Sequence, residues 1–209
     1  MKVIRLSDTR MLIEFPTRKE QTISMFRLSE YSEGKDKIKG CHFAIDEFLD
    51  AYSDKDGNIT FFSFWDGFNV PMKQIHDFLL KFPKSELTRR EKKVLKAVRT
   101  LPLNGTLITC EKGDESTLKH ELAHCKFSDN TAYRNEVLDV VHSIDFHLKK
   151  KFEGYLKQMG YCQDVIPDEI HAYLLVYEKD EYEECFPKID FEDIKIYHNK
   201  LNSIYNRYE

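Results

Sequence analysis

Thr106-Leu107-Ile108-Thr109-Cys110 gives way within a few residues to Asp114-Glu115-Ser116-Thr117-Leu118-Lys119-His120-Glu121-Leu122-Ala123-His124-Cys125. The first run is short, apolar and rich in branched side chains, and reads as a strand. The second opens on a capping residue, Asp114 or Ser116, and places Leu118, Leu122 and Cys125 on one side of a helix. The character of the chain changes here. Upstream, Val3-Ile4-Arg5-Leu6, Met11 to Phe15, Ile23 to Leu28 and Ile59 to Trp65 read as strands. Breaks such as Pro16-Thr17 and Glu33-Gly34 punctuate them. Downstream, helices are expected at 115–127, 130–143, 145–159, 167–178 and 189–206, with Gly160 stopping the third. A strand-rich front followed by a helical back predicts the α+β class.

Between these regions a few helices are expected. Phe43 to Tyr52 carries Ala44, Phe48 and Ala51 on one face. Pro71 suits the first turn of a helix reaching about Phe82. Thr88, with Glu91 three residues on, forms a capping box ahead of Val94, Leu95 and Val98. The expected organisation is a single domain, 1–209, with a β-rich part over 1–85 and a helical part over 86–209.

The chain has 209 residues, enough to bury a core without disulfides or a structural metal. Its 32 Lys and Arg against 36 Asp and Glu leave a formal charge of −4. This argues against a nucleic-acid partner held by bulk charge, while a local basic patch could survive it. Five cysteines without a CxxC pair read as free thiols in a reducing compartment. The first residues lack the apolar stretch of a secretion signal, and no run approaches the ~18–20 apolar residues that span a bilayer. The expectation is a cytoplasmic protein with neither a nucleic-acid nor a membrane partner, export by a signal-less route remaining open.

His120-Glu121-Leu122-Ala123-His124 is an H-E-x-x-H. Residues four apart share a helix face, so both imidazoles can reach one metal ion. Glu121 is then held beside the ion rather than on it, in reach of a proton. A preceding strand and turn, a capped helix start and an acidic residue on a later helix, Glu169, set the pair in a metal-site context.

On these residues the chain resembles the zincin metallopeptidases over roughly 104–178. The metzincin continuation is absent, because Phe127 and Asn130 stand at its glycine and third histidine. The gluzincin arrangement takes a glutamate from a later helix, and Glu169 in Pro167-Asp168-Glu169-Ile170-His171-Ala172-Tyr173 matches it, with small Ala172 three residues on. The thermolysin-like aspartate four residues after the glutamate is replaced by Tyr173. The resemblance implies that His120, His124 and Glu169 hold Zn²⁺, an ion that lowers the pKa of water toward ~7. It implies Glu121 as general base and Tyr173, rather than His171, as donor to the oxyanion, with Tyr177 one turn further. It also implies that strand 106–110 is a sheet edge that pairs with an extended peptide. The expected substrate is a protein or peptide. The alternatives are a non-catalytic zincin-like module that binds a protein partner, and a structural protein in which the motif is accidental.

Other features carry plainer readings. His142, His147 and His198 are rival third ligands, weaker than a glutamate on a separate helix. Asp129, Asp139 or a backbone carbonyl would orient the ligand histidines. Cys125 points about 100° away from His124 and reads as a buried thiol. Aligning Gly57 of Asp54 to Asn58 with the sixth position of a calcium loop puts Tyr52 first and Ser63 twelfth, where carboxylates are needed, so the stretch reads as a hairpin turn. Phe61 to Phe68 reads as core, and Glu178 to Glu184 as a solvated acidic run.

Overall fold

Strand β4 (Thr106–Glu111) is the centre of the first of two compact units, Met1–Leu118 and Lys119–Glu209. It lies between β2 (Arg10–Phe15), which it pairs in parallel, and β3 (Gly67–Pro71), which it pairs antiparallel; β1 (Lys2–Arg5) adds to the far side of β2. Leu12 stands opposite Ile108, and Val70 opposite Leu107. Thr106 through Cys110 are all buried, as expected of a strand covered on both faces. β4 is therefore interior, and the expectation of a free edge at 106–110 is corrected: its backbone groups on both sides already serve β2 and β3. Gly105 sets up the entry to the strand, since a Cβ there would sit 2.9 Å from the carbonyl oxygens of Thr9 and Pro102.

The computed structural model describes residues 1–33, 39–53, 56, 65–159, 161–176, 179, 182 and 185–208. Residues 59–64 of the expected strand, the stop at Gly160, Tyr177 and most of the runs 54–58 and 178–184 lie outside them, and Trp65 is not in a strand. Of the acidic run, Tyr182 is fully buried, so that residue is core rather than solvated.

The strand expected at Ile23–Leu28 is part of a helix, α1 (Arg18–Glu33). Its burial explains the misreading. Gln21, Thr22, Ser24, Arg27, Ser29 and Glu30 are buried alongside Met25, Phe26, Leu28 and Tyr31, so no polar stripe marks a helical period. The polar groups are satisfied internally. The Thr22 and Ser24 hydroxyls donate to the carbonyls of Arg18 and Glu20, one turn back, and the Gln21 amide donates to Thr109 and to the Asp66 carbonyl. Arg27 donates twice to Glu91, at 2.7 Å each, and once to the Glu86 carbonyl, and its guanidinium lies 5.0 Å from the Phe82 ring centroid.

The remaining helices of this unit follow the sequence. They are α2 (Ile45–Ala51), α3 (Met72–Lys81) behind Pro71, and α4 (Arg89–Val98). In α4 the Thr88 hydroxyl accepts from the Glu91 N–H while the Glu91 carboxylate accepts from the Thr88 N–H, closing the capping box. Val94 and Val98 join Ile13, Phe78 and Leu107 in the core. Because α4 and β4 both belong to this unit, the units part at 118/119 and not at 85/86.

Helix α5 (Glu115–Asp129) carries the boundary between the units. Gly113, at φ +84°, makes the left-handed turn after β4, and Asp114 caps the helix by accepting from Thr117 N–H at 2.9 Å. The second unit continues with α6 (Thr131–Ser143), α7 (Phe146–Gln158), α8 (Ile166–Val176) and α9 (Phe191–Arg207). Residues 169–176 of α8 are buried without a break, and α8 packs on α6, α7 and α9. Tyr133, Val137, Phe152, Leu156, Ile170, Leu174 and Leu201 fill this second core. The class is α+β, as read.

Candidate metal centre

The fully helical environment of the second unit brings three of the predicted site residues together. One turn of α5 separates His120 from His124, and their Nε2 atoms lie 3.0 Å apart. Glu169, near the start of α8, places Oε2 3.7 Å from His120 Nε2 and Oε1 3.6 Å from His124 Nε2. Four ligands held tetrahedrally at bond lengths of about 2.0–2.1 Å are separated by about 3.3 Å, so these spacings suit one small divalent cation. The donor set, two imidazoles and a carboxylate, is the kind that leaves a coordination position open. Glu169 Oε2 is moreover a buried polar atom without a hydrogen-bond partner. A buried carboxylate oxygen left in that condition costs free energy unless a cation or donor meets it.

The carboxylates set the local electrostatics. Burial disfavours charge on His124, yet Glu169 and Asp168 outweigh it and push the imidazole up to about 10. His120 is held below the usual histidine range, chiefly by burial. Glu121, itself 7 % exposed, contributes to the fields at His124, Tyr161 and Tyr173, which sets its charge beside theirs. The site is thus rich in carboxylates and largely buried.

Asp168 is a residue beside the cluster that the sequence reading did not assign. Its Oδ2 accepts from His124 Nδ1 at 2.9 Å, and its Oδ1 accepts from His171 Nδ1 at 3.2 Å. The two imidazoles overcome the effect of burial and depress Asp168 to about 2. Burial keeps His171 low and therefore neutral, so its Nε2 is the acceptor for the Tyr133 hydroxyl, 2.7 Å away. The result is a chain of side chains, His124–Asp168–His171–Tyr133, running from the cluster into the second core. With Nδ1–H directed at Asp168, the neutral form of His124 presents a lone pair on Nε2 toward Glu169 and His120. Asp129 and Asp139, the expected orienting residues, are exposed instead. Asp168 supplies that carboxylate because it adjoins Glu169 on α8. Neighbouring residues can then address the two nitrogens of one ring.

Tyr173 is also brought to the cluster. Its ring meets that of His120 edge-on, with centroids 4.9 Å apart, and its hydroxyl lies 3.3 Å from that of Tyr161. Burial, reinforced by Glu169, holds both phenols well above their ordinary range, so both stay protonated. Tyr161 is a second group missed in the sequence, since it lies in the connection ahead of α8 and belongs to no spaced motif. His171 points away from the cluster, as its spacing implied. The rival third ligands are elsewhere: His142 and His147 are exposed, and His198 Nδ1 lies 2.7 Å from the Leu174 carbonyl oxygen, to which it donates. Cys125 is buried, as expected, although the buried face of α5 is Glu121, Ala123 and Cys125, with Leu122 half-buried.

Among the described residues no helix is long and apolar enough to cross a membrane. No protein-family model, curated protein or solved structure shows significant similarity to the chain.

Proposed function

We propose that the chain is a zinc-dependent metallopeptidase of the gluzincin kind, cleaving peptide bonds in a protein or peptide substrate. The observation that carries the reading is the convergence of His120, His124 and Glu169 within 4.8 Å, with a buried Glu169 oxygen left unsatisfied. His120, His124 and Glu169 would hold the ion, and Asp168 would keep His124 in the tautomer that offers Nε2. A bound zinc ion supplies Lewis acidity toward a carbonyl oxygen and lowers the pKa of water.

The chain's own groups account for the proton movements. Glu121 takes a proton from the attacking water and delivers it to the leaving amine. Tyr173, protonated and one turn beyond Glu169, donates a hydrogen bond to the oxygen that gains charge, with Tyr161 holding the Tyr173 hydroxyl in place. Near-complete burial of Glu121 and Glu169 limits competing water.

Glu121→Gln is the test, with the zinc content and the turnover of a casein-type protein substrate measured together. The proposal expects zinc retained and turnover reduced by at least about a hundredfold, the scale of losing a general base. Zinc retained with unchanged turnover would refute the peptidase reading and leave a metal-binding module.

A further inference from the structure

We propose that the exposed face of α4 docks against the phosphate backbone of a nucleic-acid duplex. This face is separate from the metal cluster and does not rest on the metallopeptidase reading. Arg89, Arg90, Lys92, Lys93, Lys96 and, at the C-cap, Arg99 are all exposed. At 100° per residue they fall within one half of the helix circumference. The opposite half, Glu91, Val94 and Val98, is buried. The one acidic residue of α4, Glu91, is engaged by Arg27 and by the Thr88 cap, so it does not neutralise the face. Among the described residues none of the six cations has a carboxylate partner. In a chain of formal charge −4, this is a concentrated exception, and the acidic remainder lies elsewhere.

Geometry and chemistry select the occupant. Arg89, Lys92, Lys96 and Arg99 follow the i, i+3, i+7, i+10 ridge, a straight row of about 15 Å. A duplex strand carries one phosphate about every 3.4 Å of its axis while winding around that axis, so a straight row of this length runs beside about two or three successive phosphates, and Arg90 and Lys93 flank it. A linear array of like charge matches a linear polyanion better than the dispersed charges of a folded acidic protein. Membrane insertion is disfavoured because the apolar side of α4 is already in the core. The face carries no aromatic side chain for stacking on unpaired bases, which favours a duplex over a single strand. Contacts made by this row are to the backbone, so binding is independent of base sequence. The low total charge rules out attraction by bulk charge and leaves this local surface intact.

The experiment is fluorescence anisotropy of the full chain with a labelled mixed-sequence DNA duplex and, in a second arm, the matching RNA duplex, across a salt series. Neutralising about three to six phosphates gives a log–log salt slope of about −3 to −5. The variant R89E/K93E/K96E should lose at least about tenfold in affinity and flatten that slope. K93Q/K96Q should lie between it and the wild type, and K151E/K157E/K188E, which changes exposed cations of the second unit, should match the wild type. Circular dichroism checks that each variant is folded. Binding to either duplex with this pattern supports the proposal, and the preferred arm identifies the nucleic acid. Absence of binding to both at low salt, equal binding by R89E/K93E/K96E, or tighter binding to phosphatidylserine vesicles or polyglutamate than to either duplex would overturn it.

Discussion

Replacing Asp168 by Asn probes the least expected part of the metal centre. The carboxylate accepts from two imidazoles at once, His124 Nδ1 at 2.9 Å and His171 Nδ1 at 3.2 Å. An amide of the same size offers one oxygen and one NH₂, so one imidazole N–H faces a donor. If His124 loses its acceptor, Nδ1 no longer holds the proton in place and the Nε2 lone pair is no longer fixed toward Glu169. Removing such an orienting carboxylate weakens metal affinity by about 10–100-fold, or about 1.4–2.7 kcal/mol. The assay is competition for zinc against a chromophoric chelator at neutral pH, with wild type, D168N and Y133F compared. Y133F removes only the outermost hydroxyl, leaves both acceptors of Asp168 in use, and should produce a smaller loss. Wild-type affinity in a folded D168N protein would refute the orienting role, and equal losses in D168N and Y133F would refute the order of the chain.

Three further outcomes follow from the same contacts. Asp168 is depressed to about 2 from an ordinary value near 3.8. Its contribution is therefore present above about 4 and lost as the pH falls through about 2. Acid unfolding of the wild type should show this loss, on the order of 2 kcal/mol, and D168N should lack it; parallel curves would contradict the shift. Glu91→Ala leaves the Arg27 guanidinium buried without its partner and should cost about 3–5 kcal/mol by chemical denaturation, whereas a loss below about 1 kcal/mol would show that the pair is not what holds α1 to α4. Tyr173→Phe should lower kcat about 10²–10³-fold with zinc content unchanged if its hydroxyl serves the oxyanion, and a change in KM alone would assign it to binding instead.

Some of this architecture was legible in the chain because its signals are local. Pro71, the Thr88–Glu91 box and the period of α6 and α7 each act within a few residues, and the helices stand close to where they were expected. The pair His120 and His124 and the glutamate at 169 were legible for the same reason, each sitting on a helix that could be recognised. What was not legible depends on distant partners. α1 reads as strand because its polar side chains are satisfied by residues far along the chain, such as Thr109 and Glu91. β4 reads as an edge because strand order is set by pairing with β2 and β3, nearly a hundred and about forty residues away. Asp168 carries no spacing signal. Its role exists only because α8 presents two adjacent carboxylates to opposite nitrogens of His124.

Zinc stoichiometry of the purified chain, measured by plasma mass spectrometry after zinc loading and dialysis, tests the central claim most directly. Close to one zinc per chain is expected in the wild type, and little in Glu169→Ala. No retained zinc in the folded wild type, or full retention in Glu169→Ala, would contradict it.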